Sequence, residues 1–273
     1  TATGGWASGN GGNAYSIGIN TYYDVTINGG ELTATGGEVT GDYAESSGIS
    51  SYEVITITGG KVTATGGWAS GNGDYVYSSG IYSDGVIITG GEVSALGGVA
   101  VDENEGVSAY SYGIEAYHDV IIENATVYAR GNQANYSAGI YVDDNITVES
   151  GSVNALGGRA VNNNDPDLAA SAGITASGSI NVNGGEVTAE VGLSEHGAAD
   201  GIYAYGDISI NGGSVAATGA SYTVDGVEPQ YSGGIFSETG DVTITGEDTV
   251  VNASGGCASD DLFAVGVLDG LQG

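Results

Sequence analysis

Apolar and polar residues alternate in short runs along this chain, and the runs return at regular intervals. Residues 55–67, ITITGGKVTATGG, show the pattern. Ile55, Ile57, Val62 and Ala64 fall on one face, and Thr56, Thr63 and Thr65 on the other. A period of two marks a half-buried strand. Thr58-Gly59-Gly60 interrupts the run, and glycine accepts the positive φ of a tight corner. The stretch therefore predicts strand, corner, strand.

A Gly-Ile pair precedes each copy, with its Ile at Ile19, Ile49, Ile81, Ile114, Ile140, Ile174, Ile202 and Ile235; Gly266-Val267 ends the series. From Gly18 to Gly266 the eight intervals average 31 residues. Periods of this size signal solenoids, propellers or arrays. Each repeat holds a short Gly-Ile segment, a second β-rich segment such as Val86-Ile87-Ile88, a corner, and a third segment such as Val93-Ser94-Ala95. A propeller blade needs four strands and about 40–45 residues. The expectation is therefore an all-β, single-stranded parallel β-helix (β-solenoid) of about eight to nine coils with three short strands per coil. Residues 1–273 form one domain in this reading. The chain opens on Thr1-Ala2-Thr3-Gly4-Gly5, the end of a repeat, so a fragment of a longer protein is expected.

The third strand is followed by inserts of varied length at 38–46, 68–78, 99–111, 131–137, 159–170, 193–199 and 221–232. These are expected as variable loops along one edge, where repeat proteins often bind. A flat threonine array of the ice-binding kind is disfavoured. Thr33, Thr35, Thr63 and Thr65 give way to Leu96, Arg130, Leu156 and Glu190 in later coils.

Charge narrows the partners. Lys61, Arg130 and Arg159 face 34 acidic residues, for a net −31. Nucleic acid and direct membrane insertion are excluded on this reading, because phosphate surfaces need basic residues and no apolar span is present. The single cysteine, Cys257, forms no internal disulfide and reads as a small buried residue.

Two ladders carry candidate chemistry. Outward positions one and three after the Ile hold Tyr22, Tyr52, Tyr82, Tyr117, Tyr141, Tyr203, Tyr205 and Phe236; the repeat with Thr175 and Ser177 lacks a ring. Stacked rings either stabilise a sheet or receive the apolar face of a sugar. The second ladder is acidic: Asp24, Asp119, Asp207 and Asp241 directly before the second strand, and Glu53, Asp84 and Asp144 one residue earlier. With the loop acids Asp102, Glu103 and Glu105, and residues 162–167, they are the candidate Ca²⁺ ligands, since calcium takes six to eight oxygens. The competing reading is that carboxylates cap corners.

ITITGGKVTATGG followed by SSGIYS resembles the Gly-rich repeats of Gram-positive cell-surface and adhesin-like proteins. It is also similar to non-catalytic carbohydrate-binding β-helix domains of cellulolytic clostridia, within the pectate-lyase-like superfamily. The likeness covers nearly the whole chain. It implies an extracellular or cell-surface location, bound calcium and glycan binding. Lyases resembling this fold use a basic proton abstractor, and only Arg130 and Arg159 are on offer. Hydrolases resembling it pair an Asp cluster with His-Gly and Arg-x-Lys motifs. Asp143-Asp144 and His196-Gly197 lie far apart here, and no Arg-x-Lys exists. No enzyme is therefore expected. The first function expected is binding of a polysaccharide or surface glycan, possible end-to-end self-association being a further partner. The alternative is a structural stalk or filament subunit.

Overall fold

The computed structural model describes residues 1–9, 12–103, 108–161, 169–194, 197–220, 232–256 and 264–269. Among these the regular structure is all strand, and no helix is long and apolar enough to cross a membrane. One coil shows the construction: Tyr136–Val142, Ile146–Val148, then Gly151–Leu156. Ile140, Val142, Ile146, Val148, Val153 and Ala155 are buried, with more accessible residues alternating along the second and third segments. That is the period-two pattern made physical.

Successive coils pair in parallel with like residues on like. Ile114, Ile140, Ile174 and Ile202 stack in one column, and Val127, Val153, Val187 and Val215 in another. The third segments form a nine-stranded sheet in chain order. Each coil thus lies on the preceding one, the topology of a single-stranded β-helix. The columns merge into one apolar core. At the ends of this stack, Ile19, Val25, Leu32 and Val251 are only partly buried, being covered less fully than their central equivalents.

Two glycine positions fix the path. At the corner before the third segment, Gly30, Gly60, Gly91, Gly151, Gly185, Gly213 and Gly246 have φ between 79° and 98°; in one coil Ala125 pairs with Gly91 and Gly151, and the residue before it, Asn124, takes the left-handed conformation with φ 50°. Glycine and asparagine tolerate this left-handed region best. The glycine before the buried Ile is needed for space instead. A Cβ on Gly80 would lie 2.4 Å from Leu96 N and 2.7 Å from Gly113 O, where two segments of the coil converge.

A serine ladder closes the opposite corner. Ser16, Ser46, Ser78, Ser111, Ser137 and Ser171, three residues before each Ile, lie in register and buried. Ser78 Oγ accepts from Gly98 N at 2.9 Å and donates to Gly67 O at 2.7 Å. Ser46 does the same with Gly67 N at 2.8 Å and Gly37 O at 2.7 Å. These hydroxyls satisfy backbone groups where the ladder of sheet bonds is broken by the turn.

The insertion edge is more ordered than loops of varied length imply. Val39–Ile57 and Ala69–Ile88 are continuous strands, and inserts 38–46 and 68–78 run inside them in parallel register, Val39 on Ala69 and Ala44 on Val76. The reason is a second small core of Ala14, Val39, Ala44, Ala69, Val76, Ala100, Ala109 and Ala134 beside the main one. Cys257, His196 and residues 162–167 and 221–231 lie outside the described residues.

Candidate functional site

The eight aromatics expected as a stripe fall in two columns. One residue after the Ile, Tyr82, Glu115, Tyr141, Thr175, Tyr203 and Phe236 stand side by side on the sheet. Three residues after it, Tyr22, Tyr52, Tyr117 and Tyr205 project from the corner, at least half exposed. Tyr22 and Tyr52 stack at 4.9 Å. Tyr82 meets Tyr117 edge-on at 5.6 Å, its hydroxyl donating to that of Tyr117 at 2.8 Å. Phe236 is buried against the edge of Tyr203.

Counting forward from the Ile misses half of the aromatic face. Four residues before it stand Tyr15, Tyr77, Tyr110 and Tyr136, and the last three stack at 4.9 and 5.2 Å. Tyr43 and Tyr75 extend this network, and Tyr112 stacks on Tyr141 at 4.7 Å with the planes 11° apart. The signal was the same alternation, counted backward into what reads as an insert.

Beneath and beside these rings lie buried carboxyls that no local motif marks. Glu115 is 6 % exposed, and burial pushes its pKa up to about 8 against the opposing hydrogen bond from Ser79. Glu45 is raised to about 7 by burial, with Ser47 Oγ donating to it at 3.3 Å. Burial also raises the phenols of Tyr43, Tyr77, Tyr82 and Tyr112, so these stay neutral hydrogen-bonding groups.

The missing ring makes a groove. In the coil of Ile174 two outward positions shrink, Tyr136 being followed by Ala170 and Tyr141 by Thr175, while a third has already shrunk from Tyr112 to Ala138 and stays small at Ala172. The next coil restores bulk with Asp200 and Tyr203. The result is a depression of about 450 Å³, within the range of small-ligand sites. Alanines floor it. The Tyr112–Tyr141 pair braces one wall, and Tyr203 with Phe236 the other. Tyr141 donates its hydroxyl to Asp143 Oδ1 at 2.8 Å, and Tyr203 donates to Glu238. Asp200 is 3 % exposed, accepts from Gly233 N at 2.8 Å, and is raised to about 7 by burial. Among the described residues, Asp200 and Glu238 are the carboxyls of the lining, which includes no Lys, Arg or His.

The corner acids act locally. Asp24 accepts from Val54 N at 3.1 Å, Asp119 from Asn145 N at 3.1 Å, and Asp207 from Asp241 N at 2.9 Å, each bond tying one coil to the next. His118 lies between Asp144 at 2.7 Å and Asp84 at 3.6 Å, and the hydrogen bond to Asp144 raises its pKa. Glu103 accepts from Ser70; Glu105 and the Asp102 side chain lie outside the described residues. Among the described residues no three His, Cys, Asp or Glu side chains are arranged to hold a metal ion.

A family model described as Beta helix repeat matches residues 25–51, 55–74 and 208–234, at both ends of the stack. No curated protein matches the chain. The polysaccharide lyase-like protein from C. thermocellum, solved as a gadolinium derivative, is 15 % identical over 96 % of this chain and 99 % of its own, with a TM-score of 0.21. A superposition that loose carries no weight in the argument. The match and the coil-on-coil pairing agree on the fold: the chain is a parallel β-solenoid, with β-helix repeats matched over those residues.

Proposed function

We propose that this chain is a non-catalytic carbohydrate-binding β-helix, displayed extracellularly in the manner of an adhesin, whose tyrosine face engages a polysaccharide. The groove carries this reading. Its small-residue floor lies between aromatic walls that their own neighbours brace, the arrangement that receives the apolar face of a pyranose. Among the described residues that line the groove there is no Lys, Arg or His; Arg130 is exposed on the third sheet and Lys61 pairs with Glu92 at 3.0 Å. Calcium on this reading acts by screening, since the corner carboxylates already accept backbone hydrogen bonds.

Native gels cast with polymer test the reading. A neutral β-glucan should retard the chain independently of salt. An acidic polymer should do so only with a divalent cation to bridge two like charges. The stalk reading, with copies stacked end to end, draws on a separate observation: Tyr77, Tyr110 and Tyr136 cover one another and so serve the sheet itself. Absence of retardation in every gel would leave that reading standing.

A further inference from the structure

The groove has a slot of defined width. Tyr141, Thr175 and Tyr203 are register partners on three successive coils. Tyr141 and Tyr203 are therefore two strand spacings apart, about 9.5 Å. Ring centroids stack from about 4.5 Å upward. One six-membered ring placed over Thr175 would meet Tyr141 on one side and Tyr203 on the other at about half that width. A second ring in the same slot would not fit.

Beside the hydroxyls of Ser, Thr and Tyr, the lining carries two carboxyls, Asp200 and Glu238. Asp200 offers a carboxyl with one oxygen engaged by Gly233 N, and among the described residues no second donor reaches it. Glu238 is half-buried and accepts from Tyr203. Among the described residues the lining has no cation to answer either carboxyl, in a chain of net charge −31. Tyrosine faces attract cations, and a carboxylate hydrogen-bonds an ammonium about twice as strongly as a neutral donor.

Resting on the glycan reading above, we infer that the slot over Thr175 takes a single pyranose bearing a protonated amine, an unacetylated hexosamine unit of a β-linked chain, held between Tyr141 and Tyr203 with its ammonium toward Glu238 and Asp200. A neutral sugar would use the ring faces without the charge. An acetylated one would lose the ammonium and add bulk. An acidic one would be repelled.

The test is calorimetric titration near neutral pH with three trimers: β-linked glucosamine, its N-acetylated form, and β-linked glucose. Salt of about 0.5 M shortens the Debye length below the dimensions of the coil and suppresses general attraction to an acidic protein. The glucosamine trimer should bind at least about tenfold more tightly than the glucose trimer, one charge-assisted contact's worth. Glu238→Gln should shrink that ratio. Thr175→Tyr should abolish binding of the glucosamine trimer. It extends a ring column already present at Tyr141 and Tyr203, so the sheet should fold around it, which circular dichroism checks. Equal affinity for glucosamine and glucose trimers overturns the amine inference and leaves glycan binding intact. A preference that survives Thr175→Tyr overturns it too, as non-specific charge attraction. Binding of none of the three overturns the inference; the glycan reading then falls as well only if the polymer gels are also blank.

Discussion

Glu115→Gln should change how stability depends on pH. Glu115 stands in the outward column between Tyr82 and Tyr141, buried, with Ser79 Oγ donating to it. In the unfolded chain its proton leaves near the ordinary value of 4.5; in the fold, burial holds the proton to about 8. Between those values the folded state binds one proton more than the unfolded state. Stability is therefore fully present below about pH 4.5 and is lost as pH rises through about 8, the reverse of a salt-bridged carboxylate. The loss is about 1.4 kcal/mol per pH unit, at most about 4–5 kcal/mol over the window. Glu45 and Asp200, both raised to about 7, act in the same direction. The assay is urea unfolding at several pH values, for the parent and for Glu115→Gln, which keeps the side chain's shape and an oxygen for Ser79. General repulsion among the acids also weakens the fold as pH rises, but it acts on both proteins. The parent should lose more stability than the variant between about pH 5 and about pH 9, by several kcal/mol. Identical slopes would show that Glu115 is ionised and solvated in the fold, and the buried-acid account would be wrong.

Three further outcomes follow from the same packing. Ile140→Asp places an unpaired carboxylate in a fully buried column and should destabilise by several kcal/mol in chemical denaturation; a near-neutral effect would contradict the register. Ser78→Ala leaves Gly98 N and Gly67 O without their hydroxyl partner and should cost about 1–3 kcal/mol, whereas a surface change such as Thr63→Ala should stay within about 0.5 kcal/mol. On the screening reading, melting temperature should rise equally with calcium, magnesium and sodium at matched ionic strength; a calcium-specific rise would mark the corner acids as ligands.

The coil was legible in the sequence because the buried columns repeat identical residues at fixed offsets. Ile-on-Ile and Val-x-Ala-on-Val-x-Ala leave one register that buries them all. The serine three residues before the Ile is nearly as regular, broken by Ala199 before Ile202, but its polar side chain reads as loop until its backbone partners are in place. The aromatic face was half legible. Forward alternation finds Tyr82, Tyr141 and Tyr203; Tyr77, Tyr110 and Tyr136 sit at the end of inserts whose unequal lengths hide the register. Bulges between Gly41 and Tyr43, and between Ser51 and Val54, shift the count further. The lapse at Thr175 was visible as a missing ring. That it is a groove depends also on Ala170, Ala172 and Asp200, from the insertion side of the same strands. Nothing local distinguishes Glu45, Glu115 and Asp200 among 34 acidic residues; burial against neighbouring coils does.

The central claim is that the groove side of the tyrosine face binds glycan. The most direct measurement is retardation in native gels containing a neutral β-glucan, run on the parent, on Tyr141→Ala with Tyr203→Ala, and on Tyr128→Ala. Tyr128 is a partly exposed ring on the third sheet and controls for loss of aromatic surface in general. Retardation of the parent and of Tyr128→Ala, lost when both groove walls are truncated, is the predicted result. Equal retardation of all three proteins would place binding elsewhere on the coil. No retardation of the parent in neutral or acidic polymer, with or without calcium, would contradict the claim outright.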